Sequence, residues 1–425
     1  MAPSTVTLII IACTCILYLT EKFSVALTTV LGMLALVFAG VLSFNDAFAC
    51  FSSTTVMLVL GMIIIVDSLM ESGVAGRVGR VLDRLMGVNE KAFVIIVFLS
   101  SGLLSMFSNN TALITMYMPF IASVAATSHG HITKKHTYLP LAMGSLIGGT
   151  GSLAGSTAPL LANDVLETVG VQTMRFFSPA PVALIIMAVI AVCYWLFLYD
   201  LEKKWFDFDE VFNEEEHRAD ETPLDKKKAI ISVAVFLTCI VLFIIQPFGW
   251  ELGLIAVAGA VVLTVTGCVH GQTAMSNMNW SALITVGAAL AIAKGFVASG
   301  VGEVIMDWLI RTLGSWITYP PAMVALFLVS GFLLSQFMAN GSLVSMLAAM
   351  AVPMAIEIGM NPMPAAMACV FGSSLAMATP VATLTITMVQ VAGYRFKDYF
   401  RMGGLVGLIG LVTAWVAIVL LYGLM

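Results

Sequence analysis

Eight apolar runs set the limits on what this chain can fold into, at about 5–20, 25–43, 51–70, 178–200, 229–246, 250–268, 280–298 and 402–424. Each approaches the roughly 20 residues a helix needs to cross about 30 Å of hydrocarbon. Inside lipid every backbone N–H and C=O must be satisfied by the protein itself, so such runs are expected to be helices. Charge is correspondingly scarce, at 10% of 425 residues, where a soluble domain carries about 25%. A soluble enzyme is excluded. So is a nucleic-acid binder, which needs a basic field, whereas the net charge here is −5. No His-Glu-x-x-His, no Gly-x-Ser-x-Gly elbow and no intramembrane aspartate pair appears, so the chain is not expected to be an enzyme of the membrane interior either.

Two further apolar regions, 92–125 and 320–355, are too long and too interrupted for single spans. Each has a polar centre, SMFSNNTAL in the first and SQFMANGSL in the second. Their expected form is a re-entrant hairpin that enters the membrane and turns back. Regions 138–168 and 362–392 are broken by GGTGSLAGSTAP and GSSLAMATPVATLT, and read as discontinuous helices with unwound middles. The order of these features repeats. MESGVAGRVGRVLDRLMG (70–87) matches VASGVGEVIMDWLIRTLG (297–314), and the two hairpin centres match next. The expected fold is therefore an all-α polytopic membrane protein built from two repeats. Residues 1–200 hold scaffold spans over 5–70, a hairpin, a broken helix and a span at 178–200. A polar linker follows at 201–228. Residues 229–425 repeat the plan, with scaffold spans over 229–298 and a last span at 402–424. The total is about ten transmembrane helices, two re-entrant hairpins and two discontinuous helices.

Charge sets the orientation. With residues 1–4 outside, all of the 19 Lys and Arg except Arg175, Arg311 and Lys294 fall on one side. By the positive-inside rule that side is cytoplasmic, placing loops 71–91, 126–137, 201–228 and 393–401 in the cytoplasm of a plasma or inner membrane. Each repeat then crosses an odd number of times, so the second is inverted relative to the first. That is the plan of a secondary transporter, with one hairpin entering from each side.

Where a helix unwinds in hydrocarbon, its free backbone groups need partners, and short polar side chains with a bound ion or substrate supply them. Half-helix N-termini present N–H groups to an anion. Unwound carbonyls with Ser, Thr and Asn oxygens suit a small hard cation. The first tip carries Ser105, Asn109, Asn110 and Thr111, and the second Ser335, Asn340, Gly341 and Ser342. Ser105 precedes Asn110 by the five residues that separate Ser335 from Asn340. The broken helices add Gly149, Ser156 and Thr157, then Pro380 and Thr383.

On these motifs the chain resembles the divalent anion–sodium symporters of the ion transporter superfamily. NNTALITMYMP (109–119) keeps the spacing of the family's Ser-Asn-Thr tip, apolar run and proline. SLAMATPVATLTI and GGTGSLAGST look like its two unwound segments. The resemblance implies two sodium sites, one from Ser105, Asn109, Asn110 and Gly149 and one from Ser335, Asn340 and Ala378. It places an anion between the tips, near Asn110, Thr111, Asn340, Gly341 and Pro380; Ser342, Thr383, Ser156 and Thr157, polar residues of the same breaks, complete the expected substrate site. The second tip, Ala339-Asn340-Gly341, lacks the two hydroxyls of the family motif.

The expected function is sodium-coupled symport of a dicarboxylate, tricarboxylate or sulfate by an elevator motion, in a homodimer joined through scaffold spans 25–70 and 229–298. The alternative is a proton-coupled or exchange-type anion permease of the same superfamily. Asp67 and Lys294 occupy matched positions near the ends of their spans, close enough to snorkel, which favours anchoring over ion coupling. His129, His131 and His136 with Lys134 and Lys135 read as a solvated cytoplasmic turn.

Overall fold

The computed structural model describes residues 2–422 apart from 21–22, 24, 73–88, 109, 129–130, 209–224, 246–249, 270–279, 302–303, 305–318, 337–339 and 380–382. The matching segments at 70–87 and 297–314 fall mostly outside the described residues, as does most of the 201–228 linker. All regular structure among the described residues is helical. Three helical runs there, Phe44–Leu69, Ala180–Trp205 and Phe396–Leu421, are long and apolar enough to cross a membrane.

The first half opens with α1 (Pro3–Thr20), α2 (Val25–Phe38), α3 (Phe44–Ala49) and α4 (Thr54–Glu71). Next come a helix pair, α5 (Glu90–Ser105) and α6 (Asn110–Thr127), and then α7 (Lys134–Gly149) and α8 (Thr157–Thr168) around an unwound segment. It closes with α9 (Ala180–Cys193) and α10 (Tyr199–Trp205), joined through a π-helical turn at Tyr194–Leu198. The second half runs α11 (Lys226–Ile245), α12 (Leu252–Val265) and α13 (Trp280–Ala298), then the pair α14 (Pro320–Ser335) and α15 (Asn340–Glu357). The broken helix is α16 (Pro362–Ser374) and α17 (Leu384–Met388), followed by α18 (Phe396–Asp398) and α19 (Gly404–Leu421).

Local chemistry explains the boundaries. Asn89 caps α5 by accepting from the Lys91 amide, and Asn361 caps α16 by accepting from the Met363 amide at 3.0 Å, with Pro362 in the first turn. Thr383 caps α17 through the Ile386 amide at 3.3 Å.

The broken helices pack through glycine. α7 lies against α5, and a Cβ at Gly144 or Gly148 would overlap the Phe98 or Gly102 carbonyl. The Ser101 hydroxyl crosses the same seam to the Leu141 carbonyl at 3.1 Å. In the second half Gly372 of α16 meets the Leu328 carbonyl of α14 in the same way. Helices in lipid gain no hydrophobic drive from meeting one another, so this close backbone approach is what holds each pair and fixes its tip. The second arms cross over: α8 packs on α15 of the other half, and α17 packs on α6.

A polar network ties the base of this body together and corrects the expectation of a solvated turn over 131–136. His131 is exposed and His129 lies outside the described residues, but Lys134 and His136 are buried. Glu90 Oε1 accepts from the Thr133 amide at 3.0 Å and its hydroxyl at 2.6 Å, and lies 3.1 Å from His136 Nδ1. Oε2 accepts from the Tyr199 hydroxyl at 2.5 Å and stands 3.6 Å from Lys203 Nζ. From the other half, the Tyr394 hydroxyl donates to the Lys135 carbonyl at 2.6 Å and accepts from the Leu139 amide at 3.1 Å. The reason for the correction is that a carboxylate one helix away draws the 133–136 segment inward, which the local run of basic residues does not reveal.

Burial alone would push the Glu90 carboxyl up, but the hydrogen bonds from His136, Thr133 and Tyr199 outweigh it and hold it at about 2. A carboxyl depressed in the folded state stabilises the fold above its unfolded pKa of about 4.3, and that contribution fades as pH falls from there toward about 2. Glu90→Gln is therefore expected to cost up to about 3 kcal/mol at pH 7. The deficit relative to the unmodified chain should stay constant from pH 8 to 5 and shrink below pH ~4. Thermal scans of the two purified proteins at pH 7 and pH 4 check this; equal midpoints at pH 7 would refute it.

Candidate functional site

Two polar centres form where the helices break. The first gathers Ser105, Asn110 and Gly149 with two residues not singled out from the sequence, Ser145 and Gly155. The Ser105 hydroxyl donates to Asn110 Oδ1 and lies 3.1 Å from Ser145 Oγ. Gly149 has no side chain where Asn110 Oδ1 sits, since a Cβ there would overlap that oxygen. Gly155 brings the unwound segment back over the same place, and a Cβ on it would lie 2.5 Å from the carbonyls of both Gly149 and Ser105. Three side-chain oxygens and two carbonyls thus converge, with Ser105 and Ser145 fully buried. Oxygen donors of this kind suit a hard cation. Asn109 lies outside the described residues. Thr111 stands one residue into α6.

The unwound segment is pinned from within. Ser152 donates to the Met106 carbonyl and accepts from the Ala154 and Gly155 amides, both at 3.1 Å. The chain then reaches Ser156, whose extended backbone precedes α8 and whose side chain caps no amide of that helix.

The second centre lies where α15 meets the N-terminus of α8. A Cβ on Gly341 would stand 3.2 Å from Thr157 Oγ1, so the second tip rests on the first turn of α8. Asn340 Oδ1 and Ser156 Oγ are both buried there, and neither has a hydrogen-bond partner. Leaving such a group unpaired costs about 1–3 kcal/mol. Ser156, Thr157, Asn340 and Gly341 are thereby brought together. Ser342 follows in the first turn of α15; Pro380 lies outside the described residues.

Ser335 and Ala378 sit deeper. The Ser335 hydroxyl is turned back to the Phe332 carbonyl of its own helix at 3.0 Å. Gln336, which the sequence reading passed over, makes the contact to the unwound segment. Its Oε1 accepts from the Ala378 amide at 3.0 Å, its own carbonyl accepts from the Thr379 hydroxyl at 2.7 Å, and its Nε2 donates to the Phe332 carbonyl at 2.9 Å. Thr383 is engaged as the cap of α17. The signal for Gln336 was its place: it follows Ser335 as Met106 follows Ser105, and a polar residue there stands out from an apolar counterpart. Gln336→Leu leaves the Ala378 amide without its acceptor in a buried site, a loss of about 1–3 kcal/mol. The expected outcome is a weaker grip on substrate, a several-fold rise in uptake KM with lowered thermal stability. Unchanged values of both would rule out the fastening role.

An all-helical body with two polar tips, each set beside an unwound helix, defines a membrane transporter. The chain belongs to the citrate transporter family (CitMHS), whose pattern matches residues 15–370 and 253–425. It is 25% identical over 422 residues to an uncharacterized transporter of Haemophilus influenzae, covering 96% of this chain and 89% of that one. It is 23% identical over 403 residues to the sodium-dependent dicarboxylate transporter SdcS of Staphylococcus aureus, covering 85% and 76%. Among solved structures, the fold is shared with the Alcanivorax borkumensis YdaH transporter (TM-score 0.56, 16% identity, 88% of this chain and 86% of that one). It is shared as well with Neisseria gonorrhoeae MtrF (TM-score 0.59, 14% identity, 100% and 96%).

Proposed function

We propose that this membrane transporter is a sodium-coupled symporter of a small anion of the dicarboxylate, tricarboxylate or sulfate class. The observation that carries the reading is the pair of orphaned buried oxygens, Asn340 Oδ1 and Ser156 Oγ, at the N-terminus of α8. An amide oxygen without a donor calls for a cation, while the free N–H groups of a helix N-terminus call for an anion. None of the residues gathered there is Lys or Arg. An anion therefore needs a borrowed positive charge, and sodium at the two oxygen-rich centres supplies it. Sodium binding would select the binding-competent tip arrangement, which couples the two solutes. The sodium-dependent relative supports this choice of ion.

In this reading α5–α8 and α14–α17 form the body that moves, elevator-fashion, against a scaffold of α1–α4 and α11–α13. The two repeats are inverted, residues 1–4 face outward, and two chains associate through the scaffold. Exposed apolar residues on it, Phe38 and Val265 among them, fit contact with lipid or with the second chain.

Uptake by proteoliposomes of citrate, succinate and sulfate, with and without an inward sodium gradient, tests the proposal. Sodium-stimulated uptake of at least one is the expected result, and equal uptake without sodium would overturn it. One observation favours the proton-coupled alternative: Asp164, on the same α8, is a buried carboxylate. Uptake driven by a pH gradient in sodium-free buffer would establish that reading instead.

A further inference from the structure

The stretch that links the second broken helix to the last span carries a basic and aromatic surface outside the transport site. The chain leaves the turn at Val389–Ala392 through Gly393, a left-handed residue (φ 100°). It then runs through α18 and a π-helical turn at Tyr399–Gly403 into α19. Two faces result. Asp398, Tyr399 and Met402 are buried, whereas Arg395, Phe396, Lys397, Phe400 and Arg401 are exposed. Phe396 and Phe400 are 60% and 63% exposed, and their rings stack 6.4 Å apart. Lys397 and Arg401 have the same four-residue spacing, so a row of cations lies beside a row of rings. The only acid of 393–401, Asp398, is turned inward and accepts from the Arg395 amide at 2.8 Å. Among the described residues no carboxylate forms an ion pair with any of the three cations.

The first half supplies a comparison. GVQTMRFF (170–177) matches GYRFKDYF (393–400), and it too turns on a left-handed glycine, Gly170 (φ 76°). Gln172, Thr173 and Met174 stand there in the places of Arg395, Phe396 and Lys397. Phe176 is buried against Phe243 with ring centroids 4.6 Å apart, and Phe177 packs on Phe107 at 5.8 Å. This corner of the fold therefore forms without exposed rings and cations, and the second half carries them in addition. Rings at the mouth of a span lie where acyl chains meet headgroups, and long basic side chains reach past them into the headgroup layer. We infer that Arg395, Lys397 and Arg401 bind the headgroup of an anionic phospholipid, with Phe396 and Phe400 set among its acyl chains. In the orientation proposed above this corner faces the cytoplasm, whose leaflet carries anionic lipid. Only the leaflet, and not the binding, rests on that reading. A lipid held here ties the end of the second broken helix to the membrane surface.

The test titrates the purified full-length protein, in neutral detergent, with dioleoyl phosphatidylglycerol or dioleoyl phosphatidylcholine and follows the thermal midpoint. Phosphatidylglycerol is expected to raise the midpoint at concentrations where phosphatidylcholine does not. Each cation beside an anionic headgroup contributes about fivefold to binding. The variant Arg395→Gln, Lys397→Gln, Arg401→Gln should therefore need about 100-fold more phosphatidylglycerol for half the effect. Neutralising a different basic cluster at the start of α11, by Lys226→Gln, Lys227→Gln and Lys228→Gln, should leave that concentration unchanged. Equal responses to the two lipids, an unmoved first variant, or equal losses in both variants would each overturn the site. Glycerol 3-phosphate has the anionic group without the chains. A midpoint rise with it alone that the first variant abolishes would mean a free phosphate ester, and would overturn the lipid. Should the first variant not fold, Lys397→Gln alone decides: a shift of about fivefold is expected, and an unshifted titration overturns the proposal.

Discussion

Asn340→Ala is expected to reduce sodium-driven anion uptake by about 100-fold, the equivalent of about 2.7 kcal/mol of lost binding, without lowering the stability of the folded protein. Asn340 opens α15, against the first turn of α8, and its Oδ1 is buried with no partner. In the unliganded protein that oxygen is a burden, because a buried polar group that makes no hydrogen bond destabilises the fold. Removing it is therefore neutral or mildly stabilising for the empty transporter and severe for the loaded one. That opposition of signs separates a ligand role from a structural one. A residue that merely held the tip in place would lose midpoint and uptake together. Asn110→Ala supplies the contrast: Asn110 Oδ1 accepts from Ser105 and packs on Gly149, so its loss should lower both. Uptake assays and thermal scans on the two variants decide the matter. Near-normal uptake by Asn340→Ala would remove this residue from the site.

Much of this was legible in the sequence because the membrane leaves few choices. A polar tip inside an apolar region cannot be an ordinary span, so NNT and ANG announced that the helices ending at Ser105 and Ser335 are separate from those starting at Asn110 and Asn340. Glycine clusters such as GGTGSLAG announced the unwinding after α7. The rest was hidden for identifiable reasons. Ser145 sits one turn before Gly149 inside a helix, where a serine reads as ordinary packing until its neighbour Ser105 is placed beside it. Gln336 is set apart only by comparison with Met106. Asp164 lies in LLANDVLETVG, which reads as an amphipathic helix end, and only the packing of α8 on α13 and α15 shows that it is buried. The Glu90 network joins residues from four separated segments, and a pattern along one segment cannot show that. In each case the missing information was which helix lies next to which.

The same distinction governs what is expected of Gly149→Ala. By helix propensity alone, alanine at the last position of α7 should stabilise by up to about 1 kcal/mol. Sterics oppose it: a Cβ there overlaps Asn110 Oδ1 and lies 3.1 Å from the carboxamide nitrogen. The surrounding backbone is fixed by Gly155 and the Ser152 hydrogen bonds, so the Asn110 side chain is the part that must move. Moving it takes away one oxygen of the first centre and the acceptor of the Ser105 hydroxyl. The sodium concentration for half-maximal uptake is therefore expected to rise about tenfold or more, equivalent to about 1.4 kcal/mol, with the protein still folded. Gly404→Ala serves as control, since a Cβ there meets only the Ala378 methyl at an ordinary 3.8 Å, and its sodium dependence should match the unmodified chain. Sodium titrations of uptake for the three proteins give the answer. An unshifted curve for Gly149→Ala would mean that Asn110 Oδ1 holds no cation, and the first sodium site would have to be sought away from the α5–α6 tip.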